Sequence, residues 1–132
     1  MSHENVEVVR LAIEAFNRRD GDTLRDLFDV DAEITPVRAA VDGTVYRGGD
    51  APASYCAAIE ASWEDLRWEV EDIRDGEDWV LALGHIRGRG RESGVLIDAR
   101  GGWLAHLGRG RIFRFQTYSD RNDALKAAGL AE

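Results

Sequence analysis

The sequence predicts an α+β fold in which helices lie across one curved sheet, with a pocket between the two layers. Three observations carry this reading. Apolar residues recur at helical spacing through the first third of the chain, and from Leu66 onward they alternate at period two in long runs separated by glycine-bearing turns. A third is that helical spacing returns only at the end, in RNDALKAAGL. With 132 residues, the chain reads as one domain, residues 1–132, large enough for a single core without metals or disulfides.

Each element follows from local chemistry. Val6, Val9, Ile13 and Phe16 mark a first helix and Leu24, Leu27 and Phe28 a second, separated by the polar break from Arg18 to Asp22. Ser2 and Asp22 are the expected N-caps, because their side-chain oxygens can accept from first-turn amides. Residues 32–37 and 43–46 read as short strands around the turn at Asp42-Gly43. Asp50 then opens a third helix with Pro52 in its first turn, where the missing amide hydrogen costs nothing. Tyr55, Ile59 and Trp63 fall on one face of that helix. Leu66, Trp68 and Val70 alternate with Arg67, Glu69 and Glu71 as a half-buried strand, and Ile73 breaks the alternation, which predicts a bulge. The runs WVLALGHIRGRGR, VLIDARGGWLAHL and RIFRFQTYS complete a meander of hairpins, and Asp120 opens a short terminal helix closed by Gly129.

Composition excludes several classes. A net charge of −8 opposes phosphate-backbone binding, so nucleic acid is not an expected partner. The charge is uneven: residues 1–66 carry 6 basic and 14 acidic side chains, and residues 67–132 carry 11 of each. Arg87, Arg89 and Arg91 share one strand face, which suits either a bound anion or a solvated strand end. Cys56 is the only cysteine, so no internal disulfide forms. The acidic N-terminus lacks the basic region of a signal peptide, and no run approaches the ~20 apolar residues of a membrane span. A cytoplasmic protein with no membrane partner is the expectation. Asp29, Asp31 and Glu33 lack a nearby histidine and fit a helix-to-strand turn, so no metal and no cofactor are expected.

Taken together, ENVEVVRLAIEAFNRRDGDTLRDLFDVDAEI, VYRGGD, SWEDLRWEVEDI and GRIFRFQTYSDRNDALKAAGL, in that order and spacing, resemble the SnoaL-like members of the nuclear-transport-factor-2-like superfamily. The resemblance implies a cone-shaped fold, with a bent antiparallel sheet wrapped around the N-terminal helices, and a homodimer packed through the sheet. It also implies an apolar pocket at the open end of the cone. Family activities range from polyketide cyclases and ketosteroid isomerases to epoxide hydrolases and proteins with no chemistry, so the fold does not decide the function.

The isomerase mechanism needs an aspartate base with a tyrosine and a protonated aspartic acid. The matching places here hold Ala12, Pro36 or Thr35, and the region of Gly102, none of which can play its part. Similarity to the cyclases instead places their aspartate base on Asp120, before the terminal helix, although a helix cap explains Asp120 more simply. His106 is the second acid–base candidate if it points inward with Leu104. The expected pocket lining is Phe16, Tyr46, Tyr55, Trp63, Leu104, Phe113 and Phe115, with Phe113, Phe115 and Thr117 alternating on one face. Asp98 and Arg100, the pair that epoxide hydrolysis would use, share a strand face. His85 is ambiguous in direction, and Cys56 is expected as a buried thiol.

Two readings follow. One is a cofactor-independent acid–base enzyme, a polyketide cyclase or related lyase or isomerase, acting on a small hydrophobic enolisable molecule. The other is a non-catalytic ligand-binding or dimerisation module. They part over whether polar groups converge on one enclosed volume.

Overall fold

The computed structural model describes residues 2–130, with the side chains of 3–130. The apolar stripe of the first helix, α1 (Ser2–Arg18), is buried, with Val9, Ala12 and Phe16 inaccessible to solvent. The capping role expected of Ser2 rests on a side chain outside the described residues. Arg19 ends α1 in the left-handed region (φ 58°). Its amide donates to the Phe16 carbonyl and that of Asp20 to the Ala15 carbonyl, the paired bonds of a Schellman turn. This turn moves the start of α2 (Gly21–Leu27) forward, so its cap is Asp20 and not Asp22: the Asp20 carboxylate accepts from the Thr23 amide and hydroxyl.

Phe28, expected in the second helix, instead opens strand β1 (Phe28–Thr35). Buried Pro36 leads into a turn of helix, α3 (Ala39–Asp42), that the sequence pattern did not predict. Asp42 ends it by accepting from the Thr44 amide and hydroxyl, while Gly43 takes φ 72°. Strand β2 is thereby reduced to Tyr46–Arg47. The third long helix, α4 (Ala51–Ser62), has Pro52 in its first turn as expected, but Asp50 makes no capping hydrogen bond and lies beside Arg25.

The remaining strands are β3 (Trp63–Asp75), β4 (Trp79–Gly90), β5 (Leu96–Gly108) and β6 (Arg111–Tyr118), and the chain closes with α5 (Arg121–Ala127). Together the strands form a six-stranded curved open sheet in the order β2-β1-β6-β5-β4-β3. Every pair is antiparallel except β1 with β6, which is parallel. Register shifts between Glu64 and Arg67 and between Val70 and Asp72 bend β3, the second being the bulge expected before Ile73.

The inner face of the sheet is covered along its length and the outer face only in part. The inner face, with Trp68, Ala82, Trp103, Ala105 and Phe115, packs on α1, α2 and α4 around the Phe16 ring. Phe16 lies 5.0 Å from the Trp68 centroid, 5.3 Å from that of Phe115 and 5.6 Å from that of Tyr55. Edge and tilted pairs of this kind contribute about 0.5–1.5 kcal/mol each beyond their buried area. On the outer face, α5 covers Leu81, Leu83 and Leu104 through Ala124. Gly102 permits this approach, because a Cβ there would lie 2.7 Å from the Ala124 Cβ.

Strand β3 is a sheet edge, and the end of α1 blocks it. Asn17 donates from Nδ2 to the Trp68 carbonyl (2.9 Å) and accepts at Oδ1 from the Trp68 amide (2.8 Å), imitating the peptide of a neighbouring strand. Two residues away, Arg19 Nη2 donates to the Leu66 carbonyl at 2.7 Å. Glu60 Oε1 sits 3.0 Å from Arg19 Nε as an ion-pair contact, out of line for a hydrogen bond.

Candidate functional site

Between α4 and the inner face of the sheet lies a cavity of about 250 Å³. Helix α4 contributes Tyr55, Ala58, Ile59 and Ser62 along one face, and Trp63 begins β3 where the helix stops. The sheet supplies Leu66 and Trp68, Ile86, Ile97 and Ala99, then Thr117 and Ser119 from the end of β6. Tyr46 and the link Pro36–Arg38 complete the wall. The spacing Tyr55/Ile59/Ser62 on α4 and the alternation Leu66/Trp68 on β3 are what aim these side chains at one volume, while Trp63, expected on the helix face, joins the wall as the first, extended residue of β3.

The lining is apolar and aromatic with a few neutral hydroxyls. Tyr55 Oη and Thr117 Oγ1 lie 3.4 Å apart, joining α4 to β6. Burial raises the Tyr55 phenol above its ordinary value, so it remains an O–H group. Among the described lining residues the one charged side chain is Arg38, which is bonded to Asp42 (Nη2 to Oδ2, 2.9 Å). Cys56 lies on the same helix as a buried thiol pushed up to about 11 by desolvation, the protonated form of a structural cysteine. No group of three or more His, Cys, Asp or Glu among the described residues is arranged to hold a metal ion.

The model of the SnoaL-like domain family matches residues 9–115. The chain belongs to the SnoaL-like family. Solved structures share its fold over nearly the whole length. A nuclear-transport-factor-2-like protein from Burkholderia xenovorans is 19% identical with a TM-score of 0.79, covering 100% of this chain and 98% of that one. A protein from Jannaschia sp., proposed as a SnoaL-like polyketide cyclase, is 18% identical with a TM-score of 0.79, over 99% of this chain and 92% of that one. IdmH from Streptomyces antibioticus, proposed as a polyketide cyclase, is 26% identical with a TM-score of 0.73, over 95% and 98%. No curated protein matches the chain in sequence.

In this SnoaL-like chain the residues singled out from the sequence are divided between two faces. Tyr46, Tyr55 and Trp63 line the cavity. Phe16 and Phe115 are fully buried behind it, in contact with Trp68. Leu104 and His106 share a face, as their parity requires, but it is the outer one: Leu104 packs under α5, and the His106 ring lies 6.3 Å from that of Phe113. Phe113 is 41% exposed because the register shift between His106 and Leu107 against β6 inserts one residue there. A one-residue slip moves a side chain to the opposite face, which separates Phe113 from Phe115 and Thr117.

Asp120 is exposed and caps α5, its Oδ1 accepting from the Asp123 amide at 3.1 Å. It lies outside the cavity lining, although its neighbour Ser119 is part of it. Burial, and then Arg114, hold His106 below its ordinary value. Asp98 is also on the outer face, where it accepts from His85 Nδ1 (2.7 Å) and Arg87 Nε (3.2 Å). Arg87 further pairs with Glu69, Arg89 donates to the Gly94 carbonyl, and Arg91 holds Glu60. Each of the three arginines thus has a partner within the chain. Trp68, Ile86, Ile97 and Ala99 were absent from the sequence-derived lining; the alternation of β3 was the signal available for Trp68.

Proposed function

We propose that this chain binds a small, uncharged hydrophobic molecule in the cavity between α4 and the sheet, and that Asp120 and His106 take no part in acid–base chemistry there. The observation that carries the reading is the lining itself, four aromatic side chains (Tyr46, Tyr55, Trp63 and Trp68) with aliphatic groups and hydroxyls, and neither carboxylate nor imidazole. Proton transfer needs a titratable group within hydrogen-bond reach of the reacting atom. Asp120 is engaged as a cap and His106 lies on the other face of the sheet, which favours binding over catalysis. The proposed activities of the Jannaschia protein and IdmH support a small organic ligand as the class. A volume of about 250 Å³ exceeds the ~150 Å³ that holds benzene, which suits a two-ring molecule.

The test is titration of the protein with naphthalene, followed by tryptophan fluorescence and calorimetry, against Ala99→Phe, which places a ring in the cavity. Saturable binding at one site per chain, reduced at least tenfold by Ala99→Phe in a folded variant, is the expected result. Absence of binding, or binding indifferent to Ala99→Phe, would overturn the reading.

A further inference from the structure

The hydroxyl pair at the cavity wall has a hydrogen to spare. Tyr55 and Thr117 are each 6% exposed, and their oxygens lie 3.4 Å apart. Two hydroxyl groups bring two hydrogens, and a bond between them uses one, whichever group donates. Among the described residues, neither hydroxyl has another hydrogen-bond partner. Behind them Trp103, the register partner of Thr117 on β5, is fully buried and carries an indole Nε1–H without a partner. One O–H of the pair is therefore left without an acceptor among the described residues, as is the Trp103 indole outside the cavity lining, and a buried O–H is not left unpaired without cost.

Resting on the binding reading above, we infer that Tyr55 and Thr117 are specificity-determining residues that recognise one neutral hydrogen-bond acceptor, such as a carbonyl oxygen, on an otherwise apolar two-ring ligand. The free O–H donates to that oxygen, and Tyr46, Trp63 and Trp68 enclose the rings. The same geometry selects against anions. The lining offers a carboxylate only Arg38, already bonded to Asp42, so an anion loses its hydration without gaining a free cation. Because the Tyr55 phenol is held above its ordinary value by burial, the donor persists across the physiological pH range.

The experiment compares 1-tetralone, tetralin and 1-naphthoate, which are similar in shape, by calorimetry against the wild type and the double variant Tyr55→Phe/Thr117→Val. Both substitutions keep the shape and remove the hydroxyls; the double variant is needed because either hydroxyl alone can still donate. The double variant is expected to bind 1-tetralone about tenfold more weakly and tetralin within twofold of the wild type, with 1-naphthoate the weakest ligand of the wild type. If both uncharged compounds bind the wild type and the double variant treats them alike, the inference fails and the binding reading stands. Equal affinity of the wild type for 1-naphthoate and 1-tetralone also overturns the inference. If none of the three binds the wild type, the inference and the binding reading fail together.

Discussion

Replacing Asn17 with alanine should destabilise the protein by about 1.5–2 kcal/mol. The side chain makes two hydrogen bonds to the backbone of Trp68, at 2.9 and 2.8 Å, in a partly buried setting. An amide or carbonyl left unpaired in a fully buried site costs ~1–3 kcal/mol. Partial water access at the edge of β3 lowers that to about 1 kcal/mol per group. The better helix propensity of alanine returns up to ~0.5 kcal/mol near the end of α1. For a domain of this size the net loss corresponds to a Tm lower by roughly 5–8 °C. Urea unfolding followed by far-ultraviolet circular dichroism measures the change, with Asn5→Ala as control. Asn5 makes one exposed bond of 3.5 Å to the Glu77 carbonyl, and its loss should stay within about 0.5 kcal/mol. If Asn17→Ala proves as harmless as Asn5→Ala, the side chain does not clamp the sheet edge and the reasoning is refuted. Because Trp68 also lines the cavity, the same variant should weaken naphthalene binding.

Two more predictions concern the outer face. Gly102→Ala puts a Cβ 2.7 Å from that of Ala124 and 3.1 Å from the Ala82 carbonyl oxygen, which should cost about 1–3 kcal/mol by displacing α5; adding Ala124→Gly should recover part of the loss, and equal stability of Gly102→Ala and wild type in urea would contradict the packing. His106 is held low by burial, so the folded state favours the neutral ring. Its contribution is complete above the unfolded pKa of ~6.5 and is lost as pH falls through the lower folded value. The urea midpoint of His106→Gln should therefore drop less than that of the wild type between pH 7.5 and 5; an equal or steeper drop would exclude this role.

Much of the fold was legible in the sequence because it depends on neighbours a few residues apart. The stripe from Val6 to Phe16, the alternation from Leu66 to Val70, the bulge before Ile73 and the cap at Asp120 each follow from local periodicity or a single hydrogen bond. The errors lie where two local signals compete. Asp20 and Asp22 both satisfy the capping chemistry, and the Schellman turn at Arg19 decides between them. Phe28 continues a helical stripe yet starts β1, because pairing with β6 at Ile112 outweighs another turn of helix.

The candidate site was only partly legible, for a different reason. Tyr55 and Trp63 could be placed on one helix face, but the cavity also draws on residues 36–38, 46, 66, 68, 86, 97, 99, 117 and 119, brought together only when the sheet curves over α4. The direction of His106 depends on which face of β5 is inner. In WLAHL one face packs on the inner core and Leu104 on the other face lies under α5, so, His106 apart, the run is apolar and buried on both faces and its period carries no sign. The sequence by itself determined the fold class, the order of elements and the parity of side chains along each strand, since these are set by backbone geometry and nearest-neighbour chemistry. Tertiary structure alone decided which parity faces the cavity, where the bulge in β6 turned Phe113 away, and that Tyr55 meets Thr117, because those outcomes depend on contacts between segments far apart in the chain.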